Sequence, residues 1–312
     1  MKTYKIFAGS SHEVFAEKIA KKIGIDLGKR TIKTFACGET YVKFDETFRG
    51  KDVFIVQTGR TGKMNDDLIE LMLLIDAAKQ SFATNVHVIM PYYAYCRQDK
   101  IHAPREGISA RLFAKLLEKA GANHLITMHL HSDQIQGFFN FPVDNLSPRK
   151  LFVEYFRKKN LKNPVVVSPD AGGAKSAKKF ADELGIPLVI LHKTRPAHNQ
   201  SMVTHVIGDV KGKTPIIIDD IIDTAGSVCG AKEGLLAAGC NHEVYLAATH
   251  PVFAGPAYER LEKANFAEIV CTDTLPVDEG KLKSFHTLSV APLFADVVKN
   301  VAEKKSVSGL YL

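Results

Sequence analysis

The stretch "PIIIDDIIDTAGSVCG" (residues 215–230) joins an apolar run to three acidic residues and then to a string of small ones. Carboxylates this close together repel one another, so either the fold offsets their charge or a ligand requires it. The small residues 224–227 allow a tight turn whose N–H groups can approach an anion. A buried strand leading into such a turn and a helix predicts an α/β fold with a phosphate at the helix N-terminus. A helix cap needs only one Asp or Ser, so three acids favour a ligand site.

The same alternation of strand and helix runs along the whole chain. Apolar or β-branched runs predict strands at 4–10, 52–59, 85–92, 123–130, 163–170, 186–193, 214–220, 241–250 and 266–273. Helical periodicity predicts helices at 66–80, 108–122, 173–185, 226–239, 255–265 and 291–305. Continuous apolar strands are typical of parallel sheets covered on both faces. A proline-containing stretch without a strand pattern, near residues 142–163, predicts the boundary between two α/β domains of similar design, 1–147 and 148–290. We expect the C-terminal segment 291–312 to join the first domain.

Composition excludes several classes of protein. The 312 residues have globular composition and a net charge of +7, but no run of five basic residues, so a nucleic-acid-binding tail is not expected. No apolar run reaches the roughly 18 residues of a membrane span, and the N-terminus lacks the apolar core of a signal peptide. We therefore expect a cytoplasmic protein. The five cysteines form no CxxC pair, which predicts small thiols and neither a zinc site nor disulfides.

Polar segments follow several of the predicted strands, where ligands bind in parallel α/β sheets. "PDAGGAK" (169–175) opens a helix with two glycines, which suits an anion or a metal-bound diphosphate. A tight turn explains these glycines but not Asp170. By contrast, "TGRTGKMND" (58–66) lacks the spacing of a phosphate-binding P-loop, and we interpret it as a turn.

Taken in order, the motifs resemble the ribose-phosphate pyrophosphokinase family over nearly the whole chain. They are "FAGSSHEVFAEKIA" near the start, "YCRQDK" (95–100), "QIQGFFNFPVDNL" (134–146), "VVSPDAGGAKSAKKFADELG" (166–185), "HKTRPAHN" (192–199), "GDVKGKTPIIIDDIIDTAGS" (208–227) and "SVSGLYL" at the end. The resemblance implies two tandem phosphoribosyltransferase-type domains. It also implies transfer of the β,γ-diphosphate of ATP to the anomeric hydroxyl of ribose 5-phosphate, with Mg²⁺ as cofactor and AMP as the second product.

The resemblance assigns roles to individual residues. The ribose 5-phosphate site comprises Arg195, Asp219, Asp220, Asp223, Thr224, Ala225, Gly226 and Ser227, and the diphosphate loop comprises Asp170, Ala171, Gly172 and Gly173. Lys193 and Arg195, on what should be a mobile loop, form the catalytic pair. The ATP site comprises Arg97, Gln98 and Asp99, together with Phe35, Cys37, Gly38 and Glu39 from a partner subunit.

The expected metal site departs from the family pattern. The resemblance implies that His131 and Asp170 bind metal, with His129 and Asp144 as further candidates. The family usually has an acid where this chain has His129, and often Asp where it has Asn140. Alternation along a strand would place His129 and His131 on one face. Four readings stay open: the metal site is weakened or altered, a nearby regulatory site differs, one of these positions does not touch metal, or His129 and His131 are simply hydrogen-bonded.

The resemblance also implies regulation and assembly. The family forms homohexamers built from dimers, with ADP and phosphate as effectors, and Thr47, Arg49, Ser306 and Ser308 match its regulatory region. Two alternatives stay open. A phosphoribosyltransferase shares the motif of residues 219–224 but needs no second domain. A catalytically weak regulatory paralogue of the synthetase would explain His129 and Asn140.

Overall fold

The computed structural model describes residues 3–197 and 200–311, with the backbone alone described for 193–197, 200–204 and 311. Internal contacts divide the chain into two compact units. The first unit comprises Met1–Ser147, Thr274–Pro276 and Ser289–Leu312, and the second comprises Pro148–Asp273 and Val277–Leu288. The segments 274–276 and 289–290, which the sequence assigned to the second domain, therefore lie with the first.

The first unit is built on a parallel sheet. Among the described residues its strands run in the order β1 (Tyr4–Ala8), β4 (Asp52–Val56), β5 (Val86–Ile89), β6 (His124–Met128) and β7 (Val143–Leu146). A separate antiparallel hairpin is formed by β2 (Arg30–Thr34) and β3 (Thr40–Phe44). Strands β4, β5 and β6 are almost entirely buried, which explains their continuous apolar sequences.

Helices from both ends of the chain cover this sheet. They are α1 (Glu13–Ile23), α2 (Met64–Gln80), α3 (Ser109–Ala120), α8 (Ala291–Ala302) and the short α9 (Ser308–Tyr311), together with a 3-10 helix at Asp133–Phe138. The fully buried rings of Phe15 on α1 and Phe294 on α8 meet edge to face at 5.4 Å. Aromatic packing of this kind fastens the C-terminal helix to the first unit.

The second unit is built on a larger sheet. Among the described residues, its strands run in the order β10 (Gln200–Ile207), β9 (Leu188–Ala197), β8 (Pro164–Ser168), β11 (Thr214–Ile222), β12 (Tyr245–Pro251), β13 (Glu268–Thr272) and β14 (Phe285–Leu288). All neighbours pair in parallel except β9 and β10, which pair antiparallel. The helices are α4 (Arg149–Lys159), α5 (Ala174–Leu184), α6 (Gly226–Ala237) and α7 (Ala257–Ala264), with a 3-10 helix at Glu279–Lys281.

Alternate residues of the central strands face opposite layers of this unit. On β8, Val165 and Val167 pack in the core that includes α6 and α7, whereas Val166 packs in the core that includes α4 and α5. On β11, Ile217 and Ile216 divide in the same way. The sheet is therefore covered on both faces. The α/β prediction is confirmed.

Several elements differ from the sequence prediction. The strands β2, β3, β7, β10 and β14 were not predicted, and β7 lies inside the stretch expected to contain none. Strands β2, β3, β7 and β14 are short and largely half-exposed, and the β10 sequence QSMVTHVI mixes polar with apolar residues. None of them has the continuous apolar run that marks the buried strands. In the part of the chain that the structure describes, no helix is long and apolar enough to cross a membrane.

Candidate active site

Three acidic residues gather at the carboxyl ends of two neighbouring strands in the second unit. Strands β8 and β11 are paired in parallel up to Val167 and Ile217. Asp219 and Asp220 lie on β11 beyond this pair, and Asp170 follows the end of β8. The backbone N–H of Asp220 donates to the Asp219 carboxylate at 2.9 Å. The topology thus brings together acids that are about 50 residues apart in sequence.

The electrostatics of Asp219 reflect this crowding. Its pKa is raised well above the ordinary value, first because its carboxyl is removed from solvent and then because the charges of Asp220 and Asp170 are close. Burial and like charge both disfavour the ionised form. The folded protein without ligands therefore holds an unfavourable concentration of negative charge, which a cation or several hydroxyl donors would relieve.

The segment after β8 forms a tight turn into α5. The Ser168 hydroxyl donates to the backbone oxygen of Asp170 at 2.7 Å, and the Gly173 N–H donates to the Asp170 carboxylate at 3.0 Å. A Cβ on Gly172 would lie 3.3 Å from that carboxylate, and one on Gly173 would lie 3.1 Å from the Ser168 hydroxyl oxygen. The glycines, together with Ala171 between Asp170 and Gly172, keep the loop compact and its N–H groups at the start of a helix.

The segment after β11 forms a second turn into a helix, which we call the phosphate loop (residues 223–227). Ala225 is buried and adopts the left-handed conformation, with φ 60°, directly before α6 begins at Gly226. Thr224 and Ser227 are exposed, whereas Asp223 is half-buried. A helix N-terminus with small residues in a sharp turn suits an anion. The structure therefore brings the acids of Asp219 and Asp220 together with this turn at one strand end.

Arg260 also contacts this loop, and the sequence did not point to it. It lies on α7, and its Nη1 donates to the backbone oxygen of Thr224 at 3.0 Å. The two residues are 36 positions apart, so no local spacing rule connects them.

Lys193 and Arg195 lie in strand β9, not in a loop as expected. Their backbone belongs to the hairpin of β9 and β10, with Lys193 opposite Val203. Ser168, the last residue of β8, is opposite Ile190, so both residues lie beyond the carboxyl end of β8. The side chains of Lys193 and Arg195 lie outside the described part of the structure, and their catalytic roles stay predictions.

The first group of expected ATP-binding residues lies in the turn between β2 and β3. The Phe35 N–H donates to the Glu39 oxygen at 2.8 Å, and the Gly38 N–H donates to the Phe35 oxygen at 2.8 Å. Gly38 has φ 95°, a conformation that favours glycine. The Phe35 ring is 52% exposed, and the Cys37 thiol is also exposed. An exposed aromatic ring at the tip of a hairpin is available for stacking.

The second group lies between β5 and α3 in the same unit. The side-chain oxygen of Gln98 accepts a hydrogen bond from Ser109 at 2.5 Å, and its backbone oxygen accepts one from the Ala110 N–H at 3.2 Å. Gln98 therefore anchors the start of α3. Arg97 is exposed and Asp99 is half-buried.

The two histidines of the expected metal site do not lie on one face of a strand. Strand β6 ends at Met128, and His129 adopts the left-handed conformation with φ 44°. Its N–H donates to the Leu146 oxygen at 2.8 Å. A left-handed residue breaks the two-residue alternation of side chains along a strand. The side chains of His129 and His131 are therefore not expected to point the same way. His129 is half-buried and His131 is exposed.

Asp144 takes part in a different arrangement. Its carboxylate lies 3.0 Å from His124 Nε2, and His124 Nδ1 lies 3.1 Å from His87 Nδ1. Burial, and then the neighbouring His124, lowers the pKa of His87 to about 4, so this imidazole is neutral at physiological pH. Asn140, the other departure from the family pattern, donates to Glu118 at 2.9 Å.

The carboxylates at the ends of β8 and β11 provide the chemistry that a magnesium site needs. Asp170, Asp219 and Asp220 offer only oxygen donors, which Mg²⁺ prefers, and their repulsion would be relieved by a divalent cation. Among the described residues, no group of three or more His, Cys, Asp or Glu side chains is arranged to hold a metal ion by itself. Mg²⁺ usually keeps several waters and binds through one or two carboxylates plus phosphates, so this donor set fits it.

A cavity of about 570 Å³ in the first unit contains part of the expected regulatory region. Thr47 and Arg49 line it together with Lys43, Gln80 and Ser81. The Arg49 guanidinium lies over the ring of Phe82, 4.0 Å from its centroid. Elsewhere in this unit, Ser306 is exposed, with its backbone oxygen bonded to Asn300, and the exposed Ser308 begins α9.

Comparison with known proteins identifies both halves of the chain. Residues 4–121 match the model of the N-terminal domain of ribose phosphate pyrophosphokinase, and residues 146–281 match that of the phosphoribosyl transferase domain. The chain is 47% identical to the ribose-phosphate pyrophosphokinase of Wolinella succinogenes over 312 residues, covering all of both chains. It is 44% identical to that of Bacillus cereus over 308 residues, covering 98% and 96% of the two chains.

A solved structure supports the same relationship. The phosphoribosylpyrophosphate synthetase from Mycobacterium smegmatis superposes with a TM-score of 0.91 at 42% identity, covering 97% of this chain and 100% of that one. The prediction of two phosphoribosyltransferase-type domains is thereby confirmed.

The charge on Asp219 should destabilise the protein when no ligand is present. A raised pKa means that the folded state favours the protonated carboxyl, so stability falls as pH rises above the ordinary Asp value of 3.8. Asp219→Asn removes this cost and should raise the melting temperature at pH 8 by about 2–4 °C, the shift that 1 kcal/mol produces in a domain of 150–250 residues. The difference in melting temperature between Asp219→Asn and wild type should shrink as pH approaches 4. Differential scanning calorimetry without metal or nucleotide measures it.

Asp209→Asn is the matched control in the same unit. Its exposed carboxylate accepts the Lys211 N–H and pairs with Lys213, interactions that lower its pKa. This substitution should not raise the melting temperature at pH 8. An Asp219→Asn protein no more stable than wild type at pH 8 would contradict the assignment of repulsion at this site.

Proposed function

The chain belongs to the ribose-phosphate pyrophosphokinase family, and from this premise we propose that it transfers the β,γ-diphosphate of ATP to O1 of ribose 5-phosphate. The products are 5-phosphoribosyl 1-diphosphate and AMP, for nucleotide biosynthesis in the cytoplasm. The observation that carries the proposal is the junction at the end of β11. There the acids of Asp219 and Asp220 lead directly into the phosphate loop.

The phosphate loop is proposed to hold the 5-phosphate of the sugar. The N–H groups of Thr224, Ala225, Gly226 and Ser227, together with the dipole of α6, provide the donors. Asp219 and Asp220 would accept hydrogen bonds from the ribose hydroxyls. Asp223 is the first residue of the phosphate loop. One short segment thus offers acceptors to the hydroxyls and donors to the phosphate, which orients the sugar along the strand end.

The turn 170–173 is proposed to hold the diphosphate. Its two glycines let the backbone approach closely, and the start of α5 favours an anion. Asp170 at its beginning is the residue of this loop that would hold Mg²⁺. The ion, when bound, would neutralise phosphate charge and make the β-phosphorus more electrophilic. His131, with His129 and Asp144, stays a prediction from the resemblance as a further part of the metal site.

Lys193 and Arg195 are proposed to stabilise the negative charge that develops as AMP leaves. Preorganised cations aimed at the transferring group lower the barrier, and one such donor is worth about 2.7–4 kcal/mol. Arg195 is also proposed to contact ribose 5-phosphate. Their backbone lies in β9 beyond the end of β8, which supports this role because the diphosphate turn begins at that same end.

The ATP site is proposed to combine Arg97, Gln98 and Asp99 with the turn between β2 and β3. Arg97 can contact phosphate oxygens with its planar guanidinium. Phe35 would stack on adenine and Glu39 would accept from its amino group, with Cys37 and Gly38 beside them. We propose that this turn serves a partner subunit, in a homohexamer built from dimers.

The two alternative functions, a phosphoribosyltransferase and a regulatory paralogue, explain the chain less well than diphosphate transfer does. A phosphoribosyltransferase would not account for the N-terminal match at residues 4–121. A regulatory paralogue was suggested by His129 and Asn140, but Asn140 bonds to Glu118 and His129 lies in a backbone turn. Asn140 therefore has a local side-chain contact, His129 has a backbone contact, and neither argues against catalysis.

The cavity beside Arg49 is proposed as part of a regulatory site for ADP and phosphate. The space is large enough for a small anion, and Thr47 adds a hydroxyl. Asp45 and Glu46 also line it, but they pair with Lys43 and Lys5, which leaves Arg49 as the cation proposed to meet the effector. Ser306 and Ser308 are further candidates from the resemblance.

Purified protein with ATP, ribose 5-phosphate and Mg²⁺ should form AMP and phosphoribosyl diphosphate in equal amounts. A coupled assay for AMP, with the second product quantified by ³¹P NMR, tests the proposed reaction. Omitting ribose 5-phosphate is the control and should abolish AMP formation. Absence of AMP over a range of divalent metals would refute the proposal.

Lys193→Ala should reduce kcat by about 100- to 1000-fold, the effect of removing one donor that stabilises transition-state charge. Binding of ribose 5-phosphate, measured by isothermal titration calorimetry, should remain within about threefold, because the phosphate loop is intact. Lys178→Ala, on the exposed surface of α5, is the control and should leave both unchanged. If binding is lost together with turnover, Lys193 has a different role.

Arg49→Met should abolish the response of the rate to ADP and phosphate while leaving the basal kcat unchanged. The substitution removes a charge from the cavity but touches none of the proposed substrate residues. Initial rates across a series of ADP and phosphate concentrations measure the response. Lys22→Met, exposed on α1, is the control. An unaltered response in the Arg49 variant would exclude this cavity as the effector site.

A further inference from the structure

We infer that Arg260 is a positioning residue for ribose 5-phosphate: it holds the phosphate loop in its anion-binding shape from outside the loop. Its Nη1 donates to the backbone oxygen of Thr224 at 3.0 Å. The inference rests on the proposed function, which assigns residues 223–227 to the sugar phosphate. It adds a residue from a different helix to that site.

The hydrogen bond fixes the direction of a peptide that the phosphate needs. The peptide joining Thr224 to Ala225 is planar and trans, so its oxygen and its N–H point in opposite directions. Holding the Thr224 oxygen toward Arg260 therefore turns the Ala225 N–H to the other side of the loop. That N–H is one of the donors available to an anion at the start of α6.

The loop needs such a restraint because of its backbone conformation. Ala225 has φ 60°, a left-handed conformation that is unfavourable for a residue with a Cβ. A Cβ on Gly226 would lie 3.3 Å from Arg260 Nη1, so the guanidinium lies directly over the backbone. Arg260 thus contacts the loop at the peptide before the strained residue and at the residue after it.

Arg260 is an exposed residue, but its backbone is held in place by the attachment of α7 to α6. At the far end of α7, Lys232 on α6 donates to the oxygens of Ala264 and Asn265 at 2.7 and 2.6 Å. Nearer the loop, the Cys229 thiol lies 3.6 Å from the Arg260 oxygen, within hydrogen-bond reach of sulfur. Lys232 is only 6% exposed, so this attachment is part of the unit's interior.

The segment before α7 is attached to the same loop. The Phe253 N–H donates to the Ile222 oxygen and the Ala254 N–H donates to the Asp223 oxygen, both at 3.0 Å. The chain from 253 to 265 therefore follows residues 222–232 along their length. Within the segment 253–265, Arg260 provides the side-chain contact with the phosphate loop.

Arginine suits this role better than lysine. The guanidinium is a rigid planar group with five N–H donors, so it can hold a carbonyl in a fixed direction. A lysine amine keeps the charge but sits on a flexible stem. Arg260→Lys should therefore retain part of the affinity for ribose 5-phosphate that Arg260→Met loses.

Steady-state kinetics of the full-length enzyme test the inference with three variants: Arg260→Met, Arg260→Lys and the control Lys263→Met, which removes the same charge from an exposed position on α7. Arg260→Met should raise the KM for ribose 5-phosphate about tenfold, the order expected for one lost hydrogen bond to a charged group. Its KM for ATP should be unchanged and its kcat within about threefold. Arg260→Lys should give an intermediate KM for ribose 5-phosphate, and Lys263→Met a wild-type one.

Hydrogen exchange provides a readout that a general loss of stability would not produce. In Arg260→Met without substrate, the amides of residues 224–227 should exchange at least about fivefold faster than in wild type, while those of the central strand β11 remain protected. Faster exchange throughout the second unit, with both KM values raised, would show a merely structural role and overturn the inference. If Arg260→Met does not fold, the same two measurements on Arg260→Lys decide the question.

The two proposals fail in different ways. Wild-type protein that neither forms AMP nor binds ribose 5-phosphate in calorimetry would refute the proposed function. Wild-type protein that does both, with an Arg260→Met variant of unchanged KM and unchanged exchange at 224–227, would refute the role of Arg260 alone.

Discussion

Repulsion among Asp219, Asp220 and Asp170 is the constraint on which the second unit depends. The parallel pairing of β8 and β11 forces these carboxylates to one edge of the sheet, where burial raises the pKa of Asp219 further. Such an arrangement costs stability and persists only where the surrounding structure determines it. The two apolar layers on either side of β11 supply that support. A ligand that supplied positive charge or hydroxyl donors would relieve this cost.

The first unit has the same design but deals with its strand ends differently. The N–H and hydroxyl of Ser10, just after β1, each donate to the Glu70 carboxylate at 2.6 Å. Gln57, just after β4, donates to the same carboxylate at 2.9 Å, and Arg60 pairs with the buried Asp67. Side chains of α2 thus bond to the groups that follow β1 and β4. The segment 58–66 is part of this network, since the Arg60 N–H also donates to the Asp67 carboxylate at 2.6 Å.

The sequence predictions that were wrong assumed that a local pattern continues where the backbone in fact changes conformation. His129 and His131 were placed on one face because alternation was assumed to continue, whereas the left-handed residue at 129 ends it. Lys193 and Arg195 were expected in a loop because "HKTRPAHNQ" is polar, yet both lie in β9, where Lys193 pairs with Val203 of β10. Beyond Ile190, where β8 ends, β9 pairs with β10 alone, so polar residues can follow the apolar start of β9 without leaving the sheet.

The sequence by itself determined the α/β class, the buried strands and the chemistry of the loop 219–227. These follow from local physics: apolar runs must be buried, small residues permit tight turns, and neighbouring acids need a partner. Only the tertiary structure decided which distant groups meet. It placed Asp170 beside Asp219, paired Asp144 with His124, and set Arg260 against Thr224. Contacts between residues far apart in the chain depend on strand order and helix packing, which no short stretch of sequence encodes.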